Sequence, residues 1–84
     1  MRITGRQIAA ARALVGIGQA ELAQNANISI PTLKRMEASE GEATGLPNNV
    51  RAILSALEIA GVEFIDDSAA SGTGGAGVRL KAGK

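Results

Sequence analysis

The first sixty residues place apolar side chains at intervals of three and four, the spacing of helices with one buried face, and the last twenty switch to alternation. Thr4 is suited to cap a first helix running to about residue 14, with Gln7 placed to close a capping box and Ile3 just before the cap. Ile8, Ala11 and either Leu14 or Val15 form its apolar stripe, and the small alanines let a second helix approach closely. Gly16 and Gly18 break the pattern around Ile17. A short second helix follows over 19–26, with Ala20, Leu22 and Ala23 as apolar groups and Glu21 in the first turn, where negative charge is favoured. Asn27, one of the few non-glycine residues that tolerate a left-handed backbone, marks the turn, and Ile28 points from it toward the core.

Ser29 caps a third helix over 30–38, whose first turn accepts Pro31 because the missing N–H has no intrahelical acceptor there. Leu33 and Met36 are spaced to face inward, which leaves Thr32, Lys34 and Arg35 toward solvent. Residues 39–46 read as a loop. Pro47 opens a fourth helix through about residue 60, striped by Val50, Ile53, Leu54 and Leu57, and Gly61 ends it. Beyond it, residues 62–66 and 78–81 alternate like strands, Val62 sharing a face with Phe64 and Val78 with Leu80. The glycine-, serine- and alanine-rich stretch 68–77 then forms the long tip of a hairpin. A lone two-stranded ribbon is marginal. It must either pack on its own helices, anchored by the single aromatic residue Phe64, or pair with another chain. The expected fold is mainly α: a compact four-helix domain over 1–61, with a C-terminal β-hairpin extension over 62–84.

Composition narrows the chemistry. The chain has neither cysteine nor histidine, so disulfides, thiolate or imidazole metal sites and the usual neutral-pH general base are absent. Asp66 and Asp67 are adjacent without an evident pocket, Glu40 and Glu42 sit in the expected loop, and nothing pairs a nucleophile with a base. No enzyme, no metal and no cofactor is therefore expected. The glycines at 72, 74, 75 and 77 lack the following Lys-Ser/Thr of a phosphate-cradling loop. No apolar stretch approaches the length of a membrane span and no signal-peptide pattern opens the chain, so the expected compartment is the cytoplasm. The formal net charge is only +1, but it is unevenly spread. Residues 1–40 carry Arg2, Arg6, Arg12, Lys34 and Arg35 against Glu21, Glu37 and Glu40, whereas 41–67 carry five acids and only Arg51. A polyanion would prefer the first half.

A short helix, a tight turn and a second helix with an apolar inner face are the parts of a helix-turn-helix, and 19–38 supplies them in order. The outer face of helix 30–38 would then enter the major groove of double-stranded DNA. Arg35 has the planar fork that addresses guanine bidentately, and Lys34 suits either a guanine or a phosphate. Thr32 offers a hydroxyl and a methyl, and Ile30 fits a thymine methyl, although it also fits a partner contact. Gln19, at the start of the second helix, is placed for the DNA backbone.

Taken together, Arg12, Gln19-Ala20-Glu21-Leu22-Ala23, Ile28-Ser29, Thr32-Leu33 and Glu37 resemble the phage-repressor type of helix-turn-helix, the xenobiotic-response-element-like regulators. The resemblance covers residues 6–60 and implies a lambda-repressor-like fold, operator binding as a homodimer on a roughly palindromic site, and no cofactor. It also implies base contacts from Ile30, Pro31 and Arg35, DNA backbone contacts from Gln19 and Thr32, and an Arg12–Glu37 pair tying the first helix to the third; a phosphate contact is the alternative for Arg12. Departures from the pattern are Asn27 for the usual turn glycine, Gly18 at a capping position, Pro31 on the reading surface, and the acidic Ser39-Glu40-Gly41-Glu42. Those acids would repel DNA. They favour the alternative expectation of a protein-interaction or antitoxin-like module on the same fold, with weak or no DNA binding of its own.

Overall fold

In the computed structural model the described residues are 3–39, 47–65 and 77–81. The loop expected after Ser39, the hairpin tip and the strand position Asp66 lie outside them. Four helices precede a two-stranded ribbon: α1 (Gly5–Val15), α2 (Gln19–Ala26), α3 (Ile30–Ala38), α4 (Pro47–Ala60), β1 (Val62–Ile65) and β2 (Gly77–Leu80). The strands pair antiparallel with Val62 opposite Leu80 and Ile65 opposite Gly77.

Local chemistry sets the helix ends. The Thr4 hydroxyl accepts from the Gln7 amide at 3.0 Å, and the Gln7 side chain accepts from the Thr4 amide at 2.8 Å, a complete capping box. Ile3 and Ile8, the two positions of a hydrophobic staple across that box, are both fully buried. Gly16 closes α1 by donating its amide to the Arg12 carbonyl. Of the two candidates for the end of the α1 stripe, Val15 packs against the core and Leu14 is 43% exposed. Gly18 caps α2 without a side-chain acceptor, and Asn27 ends it in the left-handed region at φ 59°. Ser29 caps α3, its hydroxyl accepting from the Thr32 amide at 3.2 Å, with Pro31 in the first turn.

Ile3, Ile8, Ala11, Leu22, Ala23, Leu33, Met36, Ile53 and Leu57 form the buried centre, joined by Val62 and Phe64 from β1. Helices and ribbon therefore share one core. Fully burying a side chain such as Leu33 or Ile53 contributes about 1.5–3 kcal/mol. Ala20, expected among the apolar groups of α2, is exposed, because the buried face runs through Leu22, Ala23 and Ala26. Strand β2 begins one residue earlier than the alternation suggests, at Gly77, and Lys81 follows it with its amide donating to the Gly61 carbonyl at 2.8 Å. Val78 packs on the core, but Leu80, expected on the same side, is 54% exposed beside the last turn of α4.

Helix α3 packs on α1 and α2, whereas the ribbon packs on α1 and α4. At Gly5 the start of α1 meets the end of α3 so closely that a Cβ would lie 2.5 Å from the carbonyl oxygens of both Met36 and Glu37. Among the described residues no helix is long and apolar enough to cross a membrane.

Candidate nucleic-acid interface

The three-residue turn 27–29 sets the direction in which α3 leaves α2. The Ile28 amide donates to the Ala23 carbonyl at 2.9 Å, and the Ile28 side chain packs against the core, so the turn is tied to α2 and to the interior. Behind α3, Leu33 and Met36 are buried almost completely. Their spacing of three residues leaves Ile30, Pro31, Lys34 and Arg35 exposed in front, with Ile30 at 40%.

Polar contacts organise the front of α3. Thr32 is half-buried, and its hydroxyl accepts from the Ser29 hydroxyl at 2.8 Å and from the Arg35 guanidinium at 3.4 Å. Thr32 thus steers Arg35 as well as presenting its own methyl. Lys34 is exposed beside them. The surface consists of two cations, two apolar groups at the helix start and one tethered hydroxyl.

A second cluster fixes the back of the helix pair. Arg12 donates from Nε to Glu37 Oε2 at 2.7 Å and from Nη2 to Glu37 Oε1 at 2.8 Å, a bidentate pair, while its Nη1 donates to the Ile17 carbonyl at 3.2 Å. The Arg12 and Glu37 side chains are 20% and 8% exposed. The hydrogen bond that Arg12 donates to Glu37 raises the Arg12 pKa above its ordinary value, against the opposing effect of burial, with the carboxylate's charge adding to the rise. Gln19 completes the cluster, its Nε2 donating to Glu37 Oε1 at 3.0 Å. The structure thereby brings together Arg12, Glu37 and Gln19, one each from α1, α3 and α2, and turns the Gln19 amide nitrogen inward.

Gln7 has a role beyond the one expected of it. Beyond the capping box, its Nε2 donates to the Ile65 carbonyl at 3.2 Å and to the Gly77 carbonyl at 3.0 Å, clasping the two strands where they diverge. The residue is only 3% exposed, and both polar atoms of its side chain have partners. A capping box with Gln instead of Glu carries the relevant signal: the amide has donors to spend after its oxygen is used. Comparison with known protein families finds no model that matches this chain, and comparison with curated proteins finds no match either.

Proposed function

We propose that this chain is a sequence-specific double-stranded-DNA-binding protein of the lambda-repressor-like helix-turn-helix type, a homodimeric transcriptional regulator that reads the major groove with α3. One observation carries the reading. Helix α3 is locked from behind by Leu33 and Met36 while Ile30, Pro31, Lys34 and Arg35 stand exposed in front. A rigid helix with two cations and two apolar groups outward suits a groove that offers guanine acceptors and thymine methyls. In this reading Arg35, aimed by Thr32, addresses a guanine, Ile30 and Pro31 lie against a thymine methyl, and Lys34 takes a base edge or a phosphate. The start of α2, capped by Gly18 without a side-chain acceptor, presents backbone donors to a phosphate. A phosphate contact from Gln19 requires its amide to share or exchange the Glu37 bond. The protein takes no cofactor, performs no catalysis and works in the cytoplasm.

A second reading keeps the fold and gives α3 a protein partner, as an interaction or antitoxin-like module. The exposed Ile30 and Pro31 side by side favour it. Selection from a random duplex library by the intact chain separates the two. An enriched inverted repeat whose binding weakens steeply with salt supports the regulator. Absence of duplex binding even at low salt, with Arg35→Ala indistinguishable from the parent chain, overturns it.

A further inference from the structure

The most exposed of the large apolar side chains among the described residues lies far from α3 in sequence. Ile59, on the last turn of α4, is 87% exposed, and Leu80 at the end of β2 is 54% exposed. They line one open hollow of about 510 Å³, together with Glu58, Ala60, Gly61 and Lys81. We propose that this surface is the two-fold interface through which two copies of the chain pair. The proposal deepens the dimer half of the reading above and rests on it for the two-fold symmetry.

Three features argue for a second copy as the occupant. The first is charge. In a two-fold contact residue i of one copy meets residue j of the other, and j meets i. The apolar centre here carries one acid, Glu58, on α4 and one base, Lys81, past β2, so a two-fold axis through the hollow between them would set Glu58 of each copy against Lys81 of its mate. The patch is therefore complementary to itself. The exposed apolar residues of α3 are not, because Lys34 and Arg35 beside them would oppose their own copies. A membrane surface would call for a predominantly basic rim, which this patch lacks.

The second feature is rigidity. The Lys81 amide donates to the Gly61 carbonyl at 2.8 Å, and the Gly61 amide donates to the Glu58 carbonyl at 3.1 Å. Gly61 sits at φ +112°, a conformation that turns the chain from α4 into β1 and sets Ile59 beside Leu80. The backbone of the patch is thus set before association, which leaves mainly side chains to be ordered. The third feature is placement. The ribbon packs on α1 and α4 and α3 on α1 and α2, so pairing at the end of α4 leaves the front of α3 open.

Sedimentation equilibrium of the intact chain across the micromolar range, without DNA, tests the proposal. The expected mass is twice the 8.5 kDa of one chain. Ile59→Lys is expected to weaken association at least about tenfold, since each dimer contains the contact twice. Glu58→Lys and Lys81→Glu should each weaken it about fivefold, and the double swap Glu58→Lys with Lys81→Glu should restore it. Restoration is the decisive arm, because a substitution that merely damages folding is not rescued by a second one. A parent chain that stays monomeric, Ile59→Lys associating like the parent, or a double swap that fails to recover would each overturn the proposal. Arg35→Ala, which probes the reading of DNA, leaves the mass unchanged, so failure of that reading and failure of this interface are told apart.

Discussion

At Gly5, two backbones approach until no side chain fits between them, with carbonyl oxygens of Met36 and Glu37 2.5 Å from where a Cβ would stand. Alanine would favour the helix by about 1 kcal/mol, but the overlap falls on backbone atoms that cannot swing aside. Gly5→Ala is expected to destabilise the fold by about 1–3 kcal/mol, read as a lower urea midpoint at unchanged slope. Nothing near Gly5 in the chain announces this, because the steric partner lies on a helix some thirty residues later. The same holds for the bond from Gln19 to Glu37. A carboxylate accepting from two residues is a property of three helices meeting, and neither residue's neighbours encode that meeting. Arg12 and Glu37 were expected to pair from the resemblance and not from any local spacing.

The helices were legible almost to the residue because their ends are local chemistry. Thr4 with Gln7, Ser29 with Pro31, and Asn27 each act on backbone groups within a few positions. The ribbon was less so. Its one-residue offset at Gly77 and the exposure of Leu80 depend on what α1 and α4 cover, which alternation along a strand does not report. Gln7 joins the two kinds of element. Gln7→Ala removes the acceptor for the Thr4 amide and the donor to Ile65 and Gly77, and should cost about 1–3 kcal/mol. Hydrogen exchange is expected to rise together at the start of α1 and along both strands, whereas an effect confined to α1 would count against the clasp. Across the strands, Arg79 bonds Glu63 at 3.1 Å and, chiefly through that bond, holds its carboxyl below the ordinary value of 4.5. A lowered folded pKa means support that is present above 4.5 and lost as pH falls through the folded value. The ribbon's protection factors, which correct exchange for its intrinsic pH dependence, should therefore fall only in that acid range, by a small amount because the pair is exposed, and Glu63→Gln should abolish that fall.

At the scale of the whole molecule, the longest dimension is 35 Å, and two-fold reading of one DNA turn separates the paired helices by about 34–36 Å. On the proposed function, two copies side by side would be of the size that spans one such turn. On the proposed function, affinity falls with salt at a slope set by the number of phosphates contacted and not by the net charge of +1. Lys34→Ala should reduce that slope by about one per protomer if Lys34 meets phosphate; an unchanged slope with relaxed base preference would assign it to a base edge. The four-helix order and the ribbon were readable from periodicity, but which surfaces stay bare depends on the assembled fold. Glu37, finally, acts as a common fulcrum: its two oxygens hold Arg12 of α1 and Gln19 of α2 while its own backbone belongs to α3. Helix α3 cannot tilt without straining its bonds to both neighbours at once, so α1, α2 and α3 are tied into a single block, and damage at this one carboxylate would loosen the set of α3 before it dissolved the fold.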